Sequence, residues 1–402
     1  MKYNAIIGQS GGPTAVINAS LCGVISQVLK TDFIDKLYGM NFGIEGFMKE
    51  SFFDLTALSE EKISKLKYTP SSALGSSRHK LHDDELPEIK KILEKHNIRY
   101  FFLIGGNDTM DTIHRIETYC SNNGYDLTGI GIPKTVDNDL FDTDHTPGFV
   151  SAAHYNILSV LQGGLLAQNM KKVDKYVVYQ TIGRDAGWLA AATALAKNSN
   201  LSAPHLIYMP EKTFSREQCL ADTQKYIKEY GFCSIVCGEG IKYEDGTPVS
   251  NTKTKDKFNN SEFGAMGGSS AALSIHKMIY DEFKFRGEFQ ITESLIMCAA
   301  DRAVISDIEE SFNCGIEAVR LAEKKESGFM ITIERLSSSP YKIKFGKTPL
   351  SKVAVNAKPM PEKYFNESGN YVSTEFIEDY MKPLLPPLPD YTVLTEIKSN
   401  EK

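Results

Sequence analysis

The stretch Tyr100-Phe101-Phe102-Leu103-Ile104-Gly105-Gly106-Asn107-Asp108-Thr109 sets an uninterrupted apolar run against a glycine turn. Such a run predicts a strand covered on both faces, because a strand with one wet face alternates apolar and polar residues. Beyond the turn, Met110, Ile113 and Ile116 recur at helical spacing, and Asn122-Asn123-Gly124 supplies a helix stop. The same order repeats outward along the chain. Ala5-Ile6-Ile7 leads through Gly8-Gln9-Ser10-Gly11-Gly12 into a helix pattern carrying Ala15, Ile17, Leu21, Val24 and Leu29. Pro87 opens another helix ahead of Ile89, Ile92 and Leu93. Further strands are expected at Gly129–Pro133, Tyr176–Tyr179, Leu206–Tyr208, Ser234–Cys237 and Phe329–Ile333. Apolar strands alternating with helices predict an α/β fold with doubly wound, mostly parallel sheets, whose ligands sit beyond the carboxyl ends of the strands.

The 402 residues allow two or three lobes at about 150 residues each. Lys and Arg number 45 against 51 Asp and Glu, a net charge of −6, so the chain lacks the basic field of a nucleic-acid binder. No apolar run approaches the ~20 residues of a membrane span. Met1–Gly8 has no secretory layout, and the seven cysteines form no CxxC pair, so reduced thiols in a cytoplasmic protein are expected. Residues 242–262 are polar and turn-rich and read as a loop or hairpin. Pro383, Pro386, Pro387 and Pro389 mark a stiff C-terminal tail over 383–402, whose last dozen residues are polar.

Four turns carry candidate chemistry. Ser10-Gly11-Gly12-Pro13-Thr14 would let backbone amides approach an anion at a helix N-terminus, or serve only as a tight turn. Gly105-Gly106-Asn107-Asp108 offers close approach plus a carboxylate for Mg²⁺ or a phosphate pocket, or simply a helix cap. Lys134-Thr135-Val136-Asp137-Asn138-Asp139 places one ammonium and two carboxylates after a strand. Phosphoryl transfer needs a cation on the phosphate oxygens, a base for the attacking hydroxyl and metal coordination, and this segment has groups for all three; as a bland alternative it is a solvated acidic loop. Gly183-Arg184-Asp185 offers a guanidinium for bidentate phosphate binding, or a surface ion pair. The absence of GxGxxG with a later acidic residue counts against dinucleotide binding.

In order, these turns resemble the phosphofructokinase family, and its pyrophosphate-dependent branch in particular, over roughly residues 3–335. The resemblance is carried by Gly11-Gly12-Pro13-Thr14, Gly75-Ser76-Ser77-Arg78, Gly105-Gly106-Asn107-Asp108, Pro133–Asp139, Thr146-Pro147-Gly148-Phe149, Gly183-Arg184 with Gly187-Trp188, and Gly238-Glu239-Gly240. It implies two similar lobes with the active site between them. Residues 1–139 with 264–310 would form the donor lobe, and 140–263 with 311–382 the acceptor lobe. It implies Asp137 as the base for a sugar C1 hydroxyl, and Asp139 beside the metal and reacting phosphate. Lys134 would act on the transferring phosphoryl group, and Thr135 would hydrogen-bond it. Gly11, Gly12, Arg78, Gly106, Asn107, Asp108 and Lys134 would line the donor site. Thr135, Asp137, Lys175, Gly183, Arg184 and Glu239 would meet the acceptor, and Asn107, Asp137 and Asp139 would hold Mg²⁺.

ATP-using members have glycine at the positions of Asp108 and Lys134. An aspartate there fills the space of a nucleotide α-phosphate and repels its charge, whereas Lys134 suits a small, highly charged donor. The implied partners are pyrophosphate and a sugar phosphate, and a homodimer or homotetramer is expected because Lys175 falls where members reach a neighbouring subunit's sugar phosphate. The chain departs from the family at Asn107 for aspartate and Ile182 for methionine. Gly264-Ala265-Met266-Gly267-Gly268 stands in place of Gly-His-x-Gln, and Ile296-Met297 in place of Gln-Arg. These changes thin the cations of the acceptor pocket. Either Lys175, Arg286 or Arg302 compensates, or the acceptor differs, as an unphosphorylated sugar or polyol. A catalytically weak regulatory homologue is the third reading.

Overall fold

The expectation of strands covered on both faces is met residue by residue. The structure, a computed structural model, describes residues 2–77, 79–252, 254, 268–354 and 356–394. In β1 (Tyr3–Gln9), Ala5 and Ile7 join one apolar core while Ile6 joins another. The elements that follow are α1 (Ile17–Val28), β2 (Ile34–Met40), α2 (Gly43–Met48), β3 (Phe52–Asp54), α3 (Glu60–Lys67) and α4 (Leu86–Lys95). Then come β4 (Ile98–Gly105), α5 (Asn107–Asn122), β5 (Thr128–Pro133), α6 (Phe149–Met170), β6 (Tyr176–Thr181), α7 (Trp188–Ala192) and β7 (Leu206–Tyr208). The chain continues through α8 (Arg216–Tyr230), β8 (Cys233–Gly238), α9 (Ala271–Phe283), β9 (Gly287–Ile291), α10 (Ile305–Glu323), β10 (Phe329–Ser338), β11 (Tyr341–Pro349) and α11 (Leu350–Val353).

Two sheets result. The larger runs β11-β10-β5-β4-β1-β2-β3, parallel at its centre with antiparallel strands at each edge. The smaller, β7-β8-β6-β9, is parallel throughout. Helices α1 and α10 cover one face of the larger sheet and α4 and α5 the other. On the smaller sheet, α8 and α9 cover one face, and α6, α7 and the segment 360–384 the other. Covering both faces lets each central strand bury its whole side-chain set, at roughly 25 cal/mol per Å² of apolar area removed from water.

The strand pairing corrects the expected division of the chain at two points. Residues 271–291 form α9 and β9 of the smaller sheet rather than part of the first lobe. Residues 311–349 return to the larger sheet rather than joining the second lobe. The physical reason lies in α1 and α10, which pack backbone against backbone. A Cβ on Gly23 would fall 1.9 Å from Phe312 O, and one on Gly315 would fall 2.1 Å from Ser20 O. Only glycines permit that approach, and it ties α10 to the first lobe.

Of the polar segment 242–262, residues 241–249 fold back on themselves through Tyr243 N to Thr247 O (2.9 Å) and Val249 N to Ile241 O (3.0 Å). The segment 255–267 and the end of the chain from 395 lie outside the described residues. All seven cysteines are free thiols, and all but Cys298 are buried. Among the described residues, no helix is long and apolar enough to cross a membrane.

Candidate active site

Parallel strands stand about 4.8 Å apart, so turns that leave neighbouring strands at the same end must converge. β1, β4 and β5 are neighbours, and their carboxyl-end turns are stitched together. Ser10 N donates to Ile104 O (3.0 Å), and Lys134 N donates to Gly105 O (3.1 Å). The Lys134 side chain turns inward, 4% exposed, and its Nζ donates to Gly12 O at 2.7 Å. Burial pulls this ammonium down to about 8, against the pull of Asp137 and Asp139. Gly11 has φ +75°, and a Cβ there would meet Lys134 Nζ at 3.2 Å, so this glycine makes room for the buried cation.

The loop after β5 presents the two carboxylates. Asp137 N donates to Thr135 Oγ1 (3.1 Å), and Thr146 Oγ1 donates to Thr135 O (2.8 Å). Burial, then the charges of Asp139 and Glu239, raises the Asp137 carboxyl to about 7, while Arg184 and Lys134 oppose the rise. Burial also raises Asp139, and Asn107 Nδ2 donates to its Oδ2 at 3.2 Å. Asn107 Oδ1 is buried with no hydrogen-bond partner among the described residues. One free amide oxygen beside two carboxylates fits Mg²⁺, which takes one or two carboxylates and completes its shell with water and phosphate oxygens. Asp108 is exposed in the first turn of α5, where a carboxylate is favoured by the helix dipole.

The smaller sheet faces this loop with its own carboxyl ends. Gly183 and Arg184 follow β6, and Glu239 follows the adjacent β8. Gly183 N donates to Glu239 Oε1 at 3.3 Å, and burial lifts Glu239 to about 7. Arg184 is exposed and lies close enough to lower both Asp137 and Glu239. Its neighbour Asp185 pairs with Lys242 at 3.6 Å. A cavity of about 140 Å³ opens here, lined by Gln180, Thr181, Ile182, Glu239, Ile291, Glu293, Ser294 and Met297. A Cβ on Gly12 would come 3.2 Å from Met297 Sδ, so this cavity adjoins the donor turn.

Three expected acceptor cations do not reach their own chain's pocket. Lys175 precedes β6 at its amino end, one full strand from Gly183, and its Nζ donates to Lys171 O (2.7 Å). Arg286 lies at the amino end of β9, bound to Asp174 at 2.8 Å. Arg302 is held against α6 by Ser159 Oγ (2.9 Å) and lies 4.6 Å from the Tyr155 ring centroid. Parallel strands put both lysine and arginine starts at the end opposite to the site. Arg78 lies outside the described residues, as does 264–267. The neighbouring His79 pairs with Glu85 at 2.9 Å.

Sequence reasoning missed the buried pair Gln9 and Asn18. Gln9 Nε2 donates to Asn18 Oδ1 (2.8 Å), and Asn18 Nδ2 donates to Thr69 O (2.9 Å) and Ser71 O (2.7 Å). Leu74 N and Ala73 N donate back to Gln9 Oε1 and Asn18 Oδ1. The pair thereby fixes the approach of the 75–77 turn to the site. Its one signal is an asparagine between Ile17 and Leu21, near the start of a mostly apolar helix.

The family model for phosphofructokinase matches residues 4–326, and the chain belongs to that family. A relative from Halomonas elongata, named pyrophosphate–fructose 6-phosphate 1-phosphotransferase, is 37% identical over 96% of this chain and 92% of its own length. The solved pyrophosphate-dependent phosphofructokinase of Nitrosospira multiformis superposes with a TM-score of 0.86 at 35% identity, over 97% of this chain and 94% of the other. A protein of Alkalicoccus urumqiensis named sulfofructose kinase is 30% identical over 96% of this chain and 97% of its own.

Proposed function

We propose that this chain transfers the terminal phosphoryl group of pyrophosphate to the C1 hydroxyl of fructose 6-phosphate, releasing phosphate. The observation that carries the reading is the convergence of Lys134, Asp137 and Asp139 on one side with Arg184 and Glu239 on the other. The reading follows the names of the most similar relatives. The larger sheet's turns then hold the donor, and the smaller sheet's turns hold the acceptor.

Asp137 accepts the hydroxyl proton as the sugar oxygen attacks phosphorus and the bridging P–O bond breaks. A carboxyl raised to about 7 is matched to that task near neutral pH, since a general base works best near the operating pH. Lys134 holds a fixed positive charge beside Gly12, where negative charge grows on the donor oxygens. Thr135 orients the Asp137 backbone and presents its hydroxyl to the transferred group. Mg²⁺, held by Asp137, Asp139 and Asn107 Oδ1, would neutralise phosphate charge. Asp108 keeps a nucleotide's α-phosphate out by repulsion. We place the protein in the cytoplasm as a homodimer or homotetramer, with Lys175 directed to a partner's site.

A second reading keeps the donor and changes the acceptor. The cavity lining has two carboxylates and no lysine or arginine, and Ile296-Met297 occupies the place of Gln-Arg. An uncharged sugar or polyol suits such a lining, because a phosphate dianion without cations is costly to bury. The test crosses pyrophosphate and ATP against fructose 6-phosphate with Mg²⁺. Fructose 1,6-bisphosphate formed from pyrophosphate alone supports the first reading. Phosphate release from pyrophosphate only with unphosphorylated alcohols supports the second.

A further inference from the structure

We propose that the segment 358–380, beyond the span matched by the family model, straps the catalytic loop to the acceptor loop, with Lys358 as its positioning residue. Lys358 reaches the catalytic loop three times. Its backbone N–H donates to Asp139 O at 2.7 Å, and its Nζ donates to Thr143 O (2.9 Å) and Asp144 O (3.3 Å). The ammonium also sits 5.2 Å from the ring centroid of Trp188, the residue that opens α7 just after the Arg184 turn. Its charge is felt at Asp139. Two residues on, Met360 N donates to Glu211 Oε1 (3.2 Å), and the same oxygen takes Gly187 N at 2.9 Å. The strap thus grips the loop of Asp137 and Asp139 with one residue and the loop of Arg184 with the next but one.

Tyr380 closes the other end. Its hydroxyl donates to Asp144 O (2.8 Å) and accepts from Asn138 Nδ2 (2.8 Å). Asn138 stands between the two site carboxylates with φ 56°, a left-handed conformation that asparagine tolerates, and its side chain ties this turn to Tyr380. Tyr364, Phe376 and Tyr380 pack edge-on or tilted around Trp188 and seat the strap on the smaller sheet's core. The two loops come from different sheets, and besides the packing of Val136 with Ala186 and Trp188, Lys358 and Tyr380 each bridge them within one side chain.

The experiment compares wild type, Lys358→Met and Lys358→Arg by steady-state kinetics and by amide hydrogen exchange. In Lys358→Met we expect kcat to fall about 10²-fold, as for a small misplacement of reacting groups, while the KM for pyrophosphate moves less than about threefold. Lys358→Arg should recover most of the loss. Exchange should quicken about tenfold over 137–145 while β1 and β4 stay protected. Unchanged kcat with unchanged exchange over 137–145 overturns the proposal, as does a loss shared equally by β1 and β4. If Lys358→Met fails to fold, Tyr380→Phe, which removes one hydroxyl, is read by the same criteria. The turnover arm rests on the proposed phosphoryl transfer. Wild type inactive on fructose 6-phosphate would unseat that reading, and the exchange arm would still decide the strap.

Discussion

The halves of the site proposed for the donor and for the acceptor are built differently. Around Lys134 and Asp137–Asp139, bonds to Gly12, Thr135 and Asn107 hold a side chain or its backbone in place, while Asn107 Oδ1 and Asn138 Oδ1 are buried without a partner among the described residues. Across the cleft, Arg184 is exposed, Glu239 accepts from Gly183, and apolar Ile182, Ile291 and Met297 line the remaining space. A half organised by internal bonds commits to one ligand chemistry. A half whose cations lie elsewhere leaves its ligand to be chosen by whatever fills the gap. The donor is therefore written into the fold more firmly than the acceptor.

The sharpest way to break this comparison is Asp137→Asn. We expect turnover to fall by about 10²–10⁴-fold, the range for a positioned base, while calorimetry finds pyrophosphate binding nearly unchanged. Turnover near wild type would remove the base from the donor half. Next in size, Arg184→Ala should raise the acceptor KM through loss of about 1.5–3 kcal/mol of charged hydrogen bonding, with kcat kept within a few-fold. An unchanged KM would mean that the acceptor half does not use its exposed guanidinium.

The double variant Asp108→Gly with Lys134→Gly tests the donor choice. It should lower the preference for pyrophosphate over ATP in kcat/KM by about tenfold, corresponding to roughly 1.4 kcal/mol. An unchanged ratio would show that these two positions do not select the donor.

The smallest effect concerns the support beneath the donor loop. His145 is fully buried between Asp144 (2.9 Å) and Glu310 (2.7 Å), and these partners raise it to about 9 despite burial. A histidine raised above its unfolded value near 6.5 contributes stability that is complete below about 6.5 and lost as pH climbs through about 9. The melting midpoint should therefore drop between pH 6.5 and 9, and His145→Gln should flatten that slope. A wild-type midpoint that does not change over this interval would contradict the ion cluster.

Much of the donor half was legible in the residues. Glycine turns after apolar runs mark strand ends, and Lys134, Asp137 and Asp139 lie together in the chain, so local pattern sufficed. On the other side only Gly183, Arg184 and Glu239 were legible, because its members come from three strand ends; Lys175 and Arg286 stand at the opposite ends of their strands, and Arg302 is held against α6 in a turn before α10. Four strands also escaped notice. β2 has mixed polarity, β3 is a three-residue edge strand, β9 exposes Glu288 and Phe289, and β11 alternates lysines with partly buried residues, so none has a long apolar run.

By itself the sequence determined the α/β class, the strand–turn–helix order and the chemistry of the loop 134–139, since these depend on neighbours within a few residues. Tertiary structure alone decided which sheet each late segment joined, because periodicity names an element without naming its partner. Gly23 against Gly315 drew α10 back to the first lobe. Lys358 reached a loop more than two hundred residues earlier by backbone and side-chain bonds that no spacing in the chain encodes.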